Sequence, residues 1–105
     1  MLQFIYRIQP TRTDMLSTGP SEAEAKIVGE HFEYLKALVD KGVVLLAGRT
    51  LTEDENTFGV VVFEAESDAA AKDLMVNDPA VIHGIMHAEL WPFRVALWSQ
   101  KGPID

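Results

Sequence analysis

Residues 21–42, SEAEAKIVGEHFEYLKALVDKG, form one long amphipathic stretch between a polar loop and a short apolar run. Ile27, Val28, His31, Tyr34, Leu35 and Leu38 recur at three- and four-residue spacing and make one stripe, while Glu30, Glu33, Lys36 and Asp40 lie largely off it. Ser21 stands where a helix is capped. Glu24, three residues on, completes a capping box, and Glu22 and Glu24 suit the positive end of the helix. Gly42 is a fitting stop. A helix with a single apolar face has to lie on something apolar, so the flanking segments decide the fold.

Before it, LQFIYRIQ (2–9) alternates as a strand does. Leu2, Phe4, Tyr6 and Ile8 share one face, and Gln3, Ile5, Arg7 and Gln9 share the other. Pro10 ends it, and a polar loop leads to Ser21, longer than most strand-to-helix links and of the kind that covers sites. After the helix, VVLLAGRT reads as a mostly buried strand and FGVVVFEAE as another. The acidic turn LTEDENT joins them, which favours antiparallel pairing. SDAAAKDLMVND is a second, shorter helix, capped by Ser67 and closed at Asp78-Pro79, because the residue before proline avoids helical geometry. AVIHGI is a turn or irregular. MHAELWPFRVALW alternates as a last strand, in which Pro92 requires an edge position or a bulge.

The order β-α-β-β-α-β is the split βαβ pattern of an α+β, ferredoxin-like domain: an antiparallel sheet with two helices on one face. At 105 residues the chain suits one domain, placed at 1–98 with a tail at 99–105. The other sheet face would be too apolar for water, so a homodimer of facing sheets is expected. Trp91 and Trp98 are candidate interface anchors, or else ordinary core residues.

Composition narrows the function. With 16 acidic against 9 basic residues and no basic stripe, nucleic acid and anionic membranes are poor partners. The absence of cysteine excludes disulfides, thiolate catalysis and cysteine-bound zinc. No apolar run approaches a membrane span, and MLQFIYRIQP does not read as a signal peptide, so a cytoplasmic protein is expected.

His31, on the apolar stripe, has two accounts: a half-buried ring bonded to a carbonyl, or a general acid–base held in a pocket and needing a carboxylate to orient it. Asp78 is the best such carboxylate, since both helices cover the same side of the sheet; its alternative is a turn former before proline. A helix C-terminus is an unfavourable place for its charge. Arg7 and Arg49 are strand-borne cations that could bind an anionic substrate or merely snorkel. Gly48 could let backbone approach a ligand or be a loop glycine. His83 and His87, four apart, would sit about 13 Å apart along a strand, too far for one metal, so no metal site is assigned. No phosphate loop, dinucleotide fingerprint or nucleophile elbow occurs.

Taken together, EHFEYLKALVDKGVVLLAGRT, GVVVFEAESDAAAKDLMVNDPAVIHGI and AELWPFRV resemble the YciI-like (YCII-related) family over nearly the whole chain. The resemblance rests on a histidine in the first helix, the glycine-containing strand after it, a segment ending in DP, and a final strand near PF. It implies a dimeric α+β barrel of ferredoxin-like protomers with a site built from His31 and Asp78. It also implies cofactor-independent lyase or isomerase chemistry of the dehydrochlorinase or muconolactone-isomerase kind on a small anionic or aromatic substrate. Where many members read AGP, this chain has Ala47-Gly48-Arg49, and the extra cation turns the pocket toward anions. Two rivals stand beside that reading. One is a non-catalytic ligand-binding dimer or a subunit of a larger enzyme system; the other is a cofactor-free or haem-linked monooxygenase on the same fold.

Overall fold

The alternating N-terminal segment is strand β1, Leu2–Pro10, and it becomes the spine of the sheet. The computed structural model describes residues 1–103. After β1 come α1 (Met15–Thr18), α2 (Glu22–Asp40), β2 (Val44–Arg49), β3 (Gly59–Ala65), α3 (Asp68–Val76), α4 (Pro79–Ile82) and β4 (Met86–Phe93). The strands lie in the order β2-β3-β1-β4, every neighbouring pair antiparallel. This is the expected ferredoxin-like α+β arrangement. Pro92 lies in β4, at the sheet edge, where its missing N–H costs nothing on the solvent side.

Each local signal has a structural counterpart. Ser21 Oγ accepts from the Glu24 N–H at 3.1 Å and Glu24 Oε1 accepts from the Ser21 N–H at 2.8 Å, closing the capping box of α2. Ser67 Oγ accepts from the Ala70 N–H and caps α3. Gly42 turns the chain at φ +75°, a conformation that side chains with a Cβ rarely adopt. The six residues of the α2 stripe are all shielded, Leu35 most fully.

The core is the space between the helices and one face of the sheet. Phe4, Tyr6 and Ile8 of β1 and Val61, Phe63 and Ala65 of β3 meet Leu35, Ala71 and Ala80 from the helices. Phe63 sits 5.8 Å from both Phe4 and Tyr6, edge-on to the latter at 72°, a favoured aromatic geometry. Burying this set supplies the main drive to fold, at about 25 cal/mol per Å² of apolar surface.

Three expectations need correction. β2 is an edge strand, not a buried one: only Val44 is enclosed, and Leu46 is 41% exposed. The final strand ends at Phe93, not Trp98, because Phe93 already pairs with Gln3 and β1 has almost no residues left to pair. The chain continues without regular structure, held by the Val95 N–H on Gln3 Oε1; the last two residues of the expected 99–105 tail lie outside the described residues. The linkers at 11–20 and 79–85 each contain a helical turn, α1 and α4.

The face of the sheet away from the helices carries Ile5, Leu46, Val62, Trp91 and Phe93. Trp91 and Phe93 are more than two-fifths exposed. Arg7 crosses this face, pairing with Glu89 at 2.8 Å and lying 6.0 Å from the Trp91 ring centre.

Candidate active site

Asp78 is the best-hidden charged group among the described residues, with no exposure to solvent. It does not sit unfavourably at a helix C-terminus, as expected. Asn77 closes α3, and Asp78 is the N-cap of α4, with Pro79 as the first helical residue. Its Oδ1 accepts from the Ala80 N–H at 3.0 Å, so its charge faces the positive end of a helical turn. Both roles weighed for it, turn former and histidine partner, are present at once.

Three groups converge on this carboxylate. His31 Nδ1 lies 2.7 Å from Oδ1 and 2.8 Å from Oδ2, and the Tyr6 hydroxyl donates to Oδ2 at 2.8 Å. With the Ala80 amide, both oxygens are engaged, as a buried carboxylate requires. The fold makes this meeting obligatory. Tyr6 points inward from the central strand, His31 inward from α2, and α4 packs against α2 with Asp78 at its first turn.

An ionised carboxylate only accepts, so the network assigns the proton of the His31–Asp78 bond to Nδ1. In the neutral ring Nε2 then carries the lone pair. Nε2 has no hydrogen-bond partner among the described residues and is open to solvent, in a side chain only 16% exposed. Burial first, and the nearby Asp78 charge second, push the Tyr6 phenol far above its usual range, so it stays a donor through neutral pH. Tyr34 is shifted the same way for the same reasons in the same order; its hydroxyl donates to the Leu74 carbonyl at 2.6 Å and ties α2 to α3.

His31 lines a cavity of about 810 Å³ between α2, β2 and the 11–20 connection, within the range of small-ligand sites. Gly48 and Arg49 line the same cavity. The structure therefore brings four of the five expected site residues together, Asp78 standing behind His31. It does not bring Arg7, which lies on the opposite face of the sheet in its pair with Glu89; in a strand of period two, residue 7 cannot share the inward face of Tyr6 and Ile8. His83 caps the end of α4 and His87 lies in β4 opposite Gln9, so the two share neither a helix nor a strand.

Sequence reasoning passed over two residues. Tyr6 falls on the inward face of its strand, and its signal is the hydroxyl itself, which must find a partner when buried. Arg12 had no signal. It binds Glu24 through two bonds at 2.7 and 3.1 Å, and also Asp14, Thr18 and the Gly19 carbonyl, so it holds the 11–20 connection over the cavity. That contact holds the Glu24 carboxyl down at about 2.

The YCII-related domain model matches residues 4–94 of this chain. Among solved structures, the chain is similar to 5-chloro-2-hydroxyhydroquinone dehydrochlorinase (TftG) from Burkholderia phenoliruptrix AC1100, solved in complex with 2,5-dihydroxybenzoquinone. The TM-score is 0.63 and the identity 24%, covering 90% of this chain and 94% of that one. At that identity the likeness is one of fold. No curated protein matches the chain.

Proposed function

The chain belongs to the YCII-related domain family, and from that premise we propose that it is a cofactor-independent acid–base enzyme of the lyase or isomerase type. The observation that carries the reading is the His31–Asp78 contact at 2.7 Å, with the second ring nitrogen left open beside a cavity. Asp78 fixes the ring and its tautomer and stabilises the imidazolium that forms on proton transfer. Nε2 takes a proton from a carbon next to a carbonyl or phenol. The electron pair left on carbon then either accepts the proton back at another position, which is isomerisation, or forms a double bond as an anionic leaving group departs, which is elimination. Arg49 holds negative charge on the substrate, and Gly48 keeps the wall beside it low. The structural neighbour's reaction, loss of chloride from a chlorinated hydroxyhydroquinone, is of the second kind and gives the first compounds to try.

The test is turnover of chlorinated hydroquinones and unsaturated lactone acids by the wild-type protein and by His31→Ala. Acid–base catalysis of this type is worth about 10²–10⁴-fold, so the variant should lose activity on that scale. A His31→Ala protein as active as wild type contradicts the reading. The rival, a binding protein without chemistry, draws support from the same cavity and predicts ligand affinity with no turnover.

The reading includes a homodimer formed through the uncovered sheet face, supported by the exposed Trp91, Phe93 and Leu46 beside Ile5 and Val62. Sedimentation at micromolar concentration should show a dimer; a monomer alone excludes this part of the account. No described helix is long and apolar enough to cross a membrane.

A further inference from the structure

The cavity is longer than the small aromatic substrate considered above requires. Its α2 wall runs from Ala25 to Val39, about 21 Å at the helical rise of about 1.5 Å per residue, and a single substituted ring would occupy only part of that length. The wall is apolar along most of it, with Val28, Phe32, Leu35 and Val39 on α2 facing Leu45 of β2. Two of these side chains are left to water: Phe32 is 63% and Val39 45% exposed. They lie at the cavity's rim and outside the stripe that packs the core, so the fold itself does not use them. A large aromatic and a valine spaced two turns apart on one helix, both unburied, form a track that apolar matter could cover.

The charge lies at one end of this track. Residues 41–43 reverse the chain, so β2 runs back along α2 and its last residue, Arg49, stands toward the N-terminal half of the helix. Among the described residues no carboxylate is within ion-pair distance of Arg49; its guanidinium donates only to the neighbouring Thr50 carbonyl at 3.1 Å. The other cation on the wall, Lys36, is already paired with Asp40. In a chain of net charge −7, Arg49 is the lining group left to receive an anion. His31 lines the same cavity, one residue before Phe32 on α2.

We infer that this cavity takes a carboxylate with an extended hydrocarbon body, its charge at Arg49 and its apolar portion laid along Phe32 and Val39. The inference rests on the cavity beside His31 being the ligand site and narrows the substrate class of the proposed function. To be turned over at His31, a ligand of this class needs a carbonyl or a conjugated double bond near its carboxylate, because C–H bonds beside a bare carboxylate are far too weakly acidic for an imidazole base.

The experiment is calorimetric titration of the full chain with butyrate, hexanoate, octanoate and decanoate, each below its micelle-forming concentration. Each added methylene should lower Kd about fourfold, the equivalent of about 0.8 kcal/mol per buried methylene. Arg49→Gln should weaken every member of the series by a similar factor. Phe32→Glu, at an exposed position that leaves the core intact, should weaken decanoate strongly and butyrate little. His31→Ala should keep the chain-length trend, which separates this inference from the catalytic reading. An absence of turnover with the trend intact counts against the chemistry alone, and a flat series with turnover intact counts against the extended ligand alone. Equal affinities from butyrate to decanoate, or a Phe32→Glu protein that binds decanoate as wild type does, overturn the inference.

Discussion

Replacing Asp78 by alanine should be among the most damaging single changes in this protein, and its cost can be built from the groups the carboxylate serves. The N-cap of α4 loses its acceptor for the Ala80 N–H, worth about 1 kcal/mol. The Tyr6 hydroxyl, in a residue with no solvent exposure, loses its acceptor and pays about 1–3 kcal/mol for remaining unpaired. His31 can turn toward the cavity and recover water, so little is added for it. The sum is about 3 kcal/mol, a large share of the roughly 5–15 kcal/mol that holds a domain together. Urea unfolding followed by tryptophan fluorescence should show it as a midpoint lowered by about 1–3 M at unchanged slope. Tyr6→Phe alone removes one bond to a charged group, about 1.5–3 kcal/mol. If the two side chains serve each other, the double variant is less damaged than the sum of the singles by about 1–2 kcal/mol, because the second change removes the orphan created by the first. Strict additivity, or an Asp78→Ala protein within about 0.5 kcal/mol of wild type, would mean that the two side chains do not depend on each other in this way.

Further outcomes follow from the same structure. Both tyrosines are held protonated by burial first and by the Asp78 charge second. A raised folded value leaves their contribution intact below the unfolded value of 10 and removes it as pH rises beyond; phenolate absorbance should therefore appear only with the loss of native circular dichroism, not ahead of it. Glu24, lowered from 4.5 to about 2 by its bond to Arg12, contributes stability above 4.5 that fades as pH falls toward 2, and Glu24→Gln should flatten that part of the acid profile. Gly59→Ala would place a Cβ 3.1 Å from both the Gly48 carbonyl oxygen and Ile8 Cγ2, on the cavity floor where backbone cannot easily yield; thermal unfolding should register a loss of about 1–3 kcal/mol.

The sheet and the long helices were legible because each follows from a local rule. Alternation in residues 2–9, the Ser21–Glu24 box and Pro92 at an edge are settled by neighbours in sequence, and the topology rules leave few ways to join such pieces. The errors fall where a distant partner decides. VVLLAGRT is apolar enough for a central strand, but among the described residues no strand pairs with its outer side. The last strand stops for want of a partner, although Arg94–Trp98 continues its pattern.

The site divides along the same line. His31 was visible as a polar residue on an apolar stripe, and Asp78 as an acid before proline in the neighbouring helical segment. What could not be read was the sharing of one carboxylate by His31, Tyr6 and the Ala80 amide, the farthest of them 72 positions from Asp78 in the chain. Arg7 lies on the outward face that its alternation predicts, paired with Glu89 and away from the cavity beside His31. Arg49 and Gly48 reach the cavity because their strand ends there.

The most direct test of the acid–base pair is the ¹⁵N spectrum of His31 at a pH where its ring is neutral. The proton should sit on Nδ1, and Nε2 should be a free lone pair whose signal moves when a carboxylate ligand fills the cavity. A neutral ring carrying its proton on Nε2, unmoved by ligand and unchanged in Asp78→Asn, would contradict the pair.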